Sequence, residues 1–144
     1  MASWNYYVVT EPKEVRLEDA ERALQAACSD FDVDSDLIVL RNGYAGGDLE
    51  CGQISIQKVT SPTLLPDRAW FEEQAHGKQN QEHLMDVLDS AKSLVSIQLL
   101  NDRFWWNNEP ERTLRPLQDW LLESFDGVLW VEGGEFYDRR GPVL

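Results

Sequence analysis

Between Leu94 and Asp138 the hydrophobic period of the chain changes twice, and this constrains the fold more than any other stretch. Leu94-Val95-Ser96-Ile97-Gln98-Leu99-Leu100 reads as a strand. From Thr113 to Phe125, Leu114, Leu117, Leu121 and Phe125 form the apolar face of a helix. Thr113 is placed to cap that helix, with Pro116 in its first turn, where a missing N–H costs little. Gly127 to Asp138 then reads as a hairpin turned by Gly133-Gly134. A strand, an amphipathic helix and a hairpin in succession call for a sheet on which the helix can bury its stripe. Four of the six Trp lie in this region: Trp105, Trp106, Trp120 and Trp130.

The preceding chain supplies the rest of that sheet. Trp4 to Thr10 is rich in aromatic and β-branched residues, with Trp4, Tyr6 and Val8 on one face and Asn5, Tyr7 and Val9 on the other. Arg16 to Cys28 carries a helical stripe of Leu17, Ala20, Leu24, Ala27 and Cys28. Asp30 to Asp36 reads as an acidic connector. Leu37 to Leu40 and the alternating Cys51 to Val59 suggest a long hairpin through a Gly-rich loop. Asp67 to Ala75 is expected as a short helix anchored by Trp70 and Phe71. Gln81 to Ser90 is expected as a second, with Leu84, Val87, Leu88 and Ala91 inward. The expected fold is α+β: one domain spanning 1–144, a mainly antiparallel sheet with helices on one face, in the order β-α-β-β-α-β-α-β-β. Its first six elements match a split β-α-β, ferredoxin-like core, and the last helix and hairpin form a C-terminal extension.

Charge narrows the function. The chain has 26 acids against 13 Lys plus Arg, a formal net charge of −13. Such a field repels nucleic acid and anionic membranes and attracts basic proteins. No apolar run approaches the length of a membrane-spanning helix, and the N-terminal residues show no signal-peptide pattern. The expectation is therefore a cytoplasmic protein in which Cys28 and Cys51 are free thiols.

Motifs for chemistry are weak. Asp30, Asp32, Asp34 and Asp36 have the alternation that opens a calcium loop, but Ser35 stands where its Gly belongs and Arg41 where its bidentate Glu belongs. Extended as a strand, these four carboxylates line one side and make an acidic edge. His76 and His83 lack any accompanying metal-ligand pattern. No nucleophile motif or P-loop is present. Acid pairs such as Glu132 with Glu135 arise by chance in so acidic a chain. The reading is a non-enzymatic protein without metal or cofactor. Phe104-Trp105-Trp106 in a polar loop reads in two ways: one or two rings anchor the loop to the core while the third covers a neighbour, or the three form a contact surface for a protein partner.

The closing Leu117-Gln118-Asp119-Trp120, followed by Gly127 to Asp138 and Arg139-Arg140-Gly141, resembles the ends of small acidic bacterial immunity proteins of interbacterial toxin systems. Glu135 departs from that pattern, which more usually has Gly there. The resemblance implies an inhibitor that binds a toxin and does no chemistry. Acidity and aromatic content point independently to partner binding, with Asp30, Asp32, Asp34, Trp105, Trp106, Glu132 and Glu135 as expected contacts to a basic toxin or effector. The alternative is a secretion chaperone or assembly adaptor. It would take an effector segment by strand addition at the terminal hairpin or at Cys51–Val59.

Overall fold

Tyr7, Val8 and Val9 are all fully buried. Successive side chains of a strand point to opposite faces, so a strand buried in this way lies in a sheet covered on both sides. The computed structural model describes residues 3–44, 47–99, 109–131 and 135–143. Its elements are β1 (Ser3–Val9), α1 (Leu17–Ala27), β2 (Phe31–Asp34), β3 (Leu37–Tyr44), β4 (Gly47–Lys58), α2 (Arg68–Ala75), α3 (Gln81–Asp89), β5 (Ser93–Leu99), α4 (Glu109–Ser124), β6 (Gly127–Val131), β7 (Glu135–Asp138) and β8 (Gly141–Pro142). The eight strands form one sheet in the order β2-β3-β4-β5-β1-β6-β7-β8, and every neighbouring pair is antiparallel.

The α+β, antiparallel expectation holds, but the helices cover both faces rather than one. Tyr7, Val95, Ile97 and Leu129 pack with Ala20 and Leu24 of α1 and Leu117 and Leu121 of α4. Val8, Leu94, Val128 and Trp130 point the other way, onto Phe71 and Ala75 of α2 and Leu84, Val87 and Leu88 of α3. An amphipathic stripe states that a helix buries one side; it does not state which face of a sheet receives it.

The ferredoxin-like order is also not adopted. That order would set β1 between β4 and β5, whereas here β5 stands between β4 and β1. A split β-α-β unit does occur, further along the chain. β5 and β6 are each antiparallel to β1, one on either side, and α4 connects them. The C-terminal third thus frames the N-terminal strand.

Local chemistry explains the elements. α1 opens with Glu18 and Asp19, where the helix dipole favours acids. Arg68 ties α2 to its neighbours: Nε donates to Glu72 at 2.8 Å, Nη1 to the Pro62 carbonyl at 2.9 Å and Nη2 to Asp89 at 2.5 Å. Thr113 is not a cap, because α4 starts at Glu109; Thr113 is fully buried and Pro116 falls inside the helix. Pro110, at the second helical position, was the sequence signal for the earlier start, since Pro is well tolerated there.

Candidate functional site

The segment expected as an acidic connector contains strand β2, paired with β3 through a turn at Ser35-Asp36. Ser35 takes φ 57°, and the Asp36 carbonyl accepts the Ile54 amide at 2.8 Å, fastening the turn to β4. Phe31 and Val33 face α1, which leaves Asp32 and Asp34 on the opposite face. Of the four carboxylates expected to line one side of an extended segment, only Asp32 and Asp34 lie in the strand; Asp30 stands in the turn before it and Asp36 in the turn after it, where the positive φ of Ser35 ends the alternation. Asp32 is partly buried and ion-pairs with Arg41; Asp34 is exposed.

Register extends these acids into a surface. Across five strands, Asp34, Leu37, Gln53, Gln98 and Trp4 stand in one row. Asp32, Val39 and Glu50 lie alongside at one end, and Ser55, Ser96 and Tyr6 form the next row. Among the described residues the packed core on this side contains no residue of β2 or β3, so this corner of the sheet is not roofed by α2 or α3. Asp34, Glu50, Gln53 and Trp4 are exposed, and Leu37, Val39 and Gln98 are half-buried. Trp4 is 37% exposed and stacks on Tyr6 at 5.9 Å. Ring contacts then run from Tyr6 to Phe71, Trp130 and Phe136. A face that sets aliphatic and aromatic side chains among carboxylates and amides has the composition of a protein contact surface.

Both sheet edges resist further strand pairing. On β2, the outward Val33 amide donates to Glu21 Oε2 at 2.8 Å. Gln25 Nε2 donates to the Phe31 carbonyl at 3.1 Å, and the Phe31 amide is taken by the Cys28 carbonyl at 3.2 Å. Helix side chains thus occupy groups that an incoming strand would use. The other edge, β8, is two residues long and includes Pro142. The Cys51–Val59 stretch expected as an edge is interior, because β4 lies between β3 and β5.

The remaining expected contacts fall elsewhere. Glu135 begins β7, six strands from β2, or about 29 Å at about 4.8 Å per strand. It is exposed and accepts the Tyr137 hydroxyl at 2.5 Å, a bond that raises the Tyr137 pKa. The structure does not bring it to the Asp32–Asp34 face. Trp105, Trp106 and Glu132 lie outside the described residues. The row-forming residues Gln53, Gln98 and Trp4 were missed because they meet only through register. The local hints were the polar alternation of Gln53, Ser55 and Gln57 and that of Ser96 and Gln98.

His76 and His83 are exposed; Cys28 is half-buried, and Cys51 is fully buried with its thiol donating to the Leu49 carbonyl at 3.5 Å. No group of three metal-ligating side chains converges among the described residues. A cleft of about 830 Å³ runs between α1 and α4 past Ala23, Ala27, Cys28, Asp119 and Trp120. No helix among the described residues is long and apolar enough to cross a membrane. Comparison with protein-family models, curated proteins and solved structures returns no match.

Proposed function

We propose that this protein is a non-catalytic binding module that neutralises a basic, folded protein partner, in the manner of an immunity or antitoxin-like inhibitor. The observation that carries the reading is the corner of the sheet face that neither α2 nor α3 covers, where Asp32, Asp34 and Glu50 flank Leu37, Val39, Gln53 and Trp4. A net charge of −13 draws a cationic partner in, and the mixed apolar and amide row supplies the contact once it arrives. Carboxylates there pair with lysines and arginines that line the partner's own site. The blocked edges at β2 and β8 favour a folded partner lying on the face over an unfolded segment added as a strand, as a secretion chaperone would require.

The test is a pull-down from native lysate with salt-graded elution, repeated with the double variant Asp34→Lys/Glu50→Lys. Asp32 is left intact because its reversal would place a cation beside Arg41. One dominant basic partner, released by salt and lost by the double variant, is the expected result. A partner retained equally by wild type and variant places recognition on another surface. A partner captured only when unfolded overturns the inhibitor reading.

A further inference from the structure

This acidic chain has four lysines, and three of them, Lys13, Lys58 and Lys92, line a single cleft of about 420 Å³. The cleft lies where the segment between β1 and α1 passes over the end of β4 and the start of β5. Its apolar lining includes Pro12, Val15, Ile56 and Val59, and Ser93 adds a hydroxyl. Val15, Val59 and Ser93 are buried, which gives the cleft a firm base. Lys58 and Ser93 are register partners and therefore share a face of the sheet.

The lysines are not equivalent. Lys13 Nζ donates to the Ser124 carbonyl at 3.0 Å and sits 5.1 Å from the centre of the Phe125 ring, so it is fixed in place. Lys58 and Lys92 are exposed, and neither ammonium forms an ion pair among the described residues. None of the four lysines forms an ion pair among the described residues; what sets Lys58 and Lys92 apart is that the fold brings both to one cleft. A cleft of this size, apolar in its body and with a few charged groups at its mouth, suits a small organic ligand. One acid, Glu14, also lines it and opposes an anion.

We propose that this cleft binds a small organic anion, a phosphate or carboxylate carried on an apolar body, with Lys58 and Lys92 holding the charged group. The inference is independent of the sheet face and of the partner proposed for it.

The experiment is an amide chemical-shift titration of the full chain with phenyl phosphate, run in parallel with inorganic phosphate. Saturable shifts at Val15, Lys58 and Ser93 are expected, tighter for phenyl phosphate than for inorganic phosphate. Lys58→Gln/Lys92→Gln should raise Kd about tenfold or more, and Glu14→Gln should lower it. Both sets of changes are at exposed positions, and an unchanged spectrum elsewhere confirms that each variant is folded. Absence of saturation at millimolar phenyl phosphate, or equal binding by the double lysine variant, overturns the proposal. So does equal affinity for the two probes, which would leave only a nonspecific attraction of anions to lysine.

Discussion

A methyl group at position 52 has no room. A Cβ built there would lie 2.2 Å from the Gln98 carbonyl oxygen and 3.1 Å from the Leu99 Cα, both in the backbone of β5. No rotamer change relieves a backbone clash, so Gly52→Ala must part β4 from β5. A loss of at least about 2 kcal/mol in urea unfolding is expected. Tyr7 makes a second prediction at this scale. It is buried and donates to the Phe125 carbonyl at 2.7 Å, joining β1 to the end of α4. Burial, and secondarily the acids Asp126, Asp138 and Glu11 against the opposing pull of Arg139, holds its folded-state pKa well above the ordinary 10.0. The unfolded chain therefore loses this proton first. The stabilisation is complete below the ordinary value of 10.0 and declines as pH rises toward the folded-state value. The urea midpoint should fall at alkaline pH. Tyr7→Phe should cost about 1 kcal/mol at neutral pH and show a shallower alkaline decline.

At the scale of elements, α1 guards β2. Removing both guards in Glu21→Ala/Gln25→Ala leaves the Val33 amide and Phe31 carbonyl open to water or to another chain. Faster hydrogen exchange at Val33 is expected, together with concentration-dependent self-association in sedimentation velocity. Unchanged exchange would show that the edge needs no guarding. Element identity was largely legible in the sequence, since Tyr6-Val8, Leu84-Val87-Leu88 and Leu117-Leu121-Phe125 each follow their element's period and are packed accordingly. β2 reads first as a connector and only conditionally as a strand, because its acids are poor strand formers and mask the alternation of Phe31 and Val33. The strand order was not legible. The continuous apolar run Tyr6-Tyr7-Val8-Val9 hinted at a strand buried on both faces, but which neighbours bury it is decided by pairing between distant segments. The candidate face was half legible for the same reason: Asp32 and Asp34 announce themselves locally, whereas Gln53, Gln98 and Trp4 join them only through register.

For the whole molecule, a charge of −13 on 144 residues acts in two opposite senses. It drives the folded chain apart from within, and it draws a cationic partner from without. Salt screens both. Raising NaCl should therefore stabilise the isolated protein by about 1 kcal/mol, roughly 3 °C in Tm, in calorimetry, and should slow association with the partner in stopped-flow. A Tm that falls with salt would show that attractive pairs such as Arg68 with Glu72 and Asp89 outweigh the self-repulsion. The place of β1 in the sheet has a further consequence, for synthesis. Ser3 pairs with Leu99 and Asn5 with Val131, so the strand is translated long before either neighbour exists. A nascent chain halted before β6 carries Tyr7, Val8 and Val9 with one side of their backbone unpaired. Closing the sheet thus waits for β6, is slow because its contacts are distant, and leaves β1 exposed to aggregation until that strand has been made.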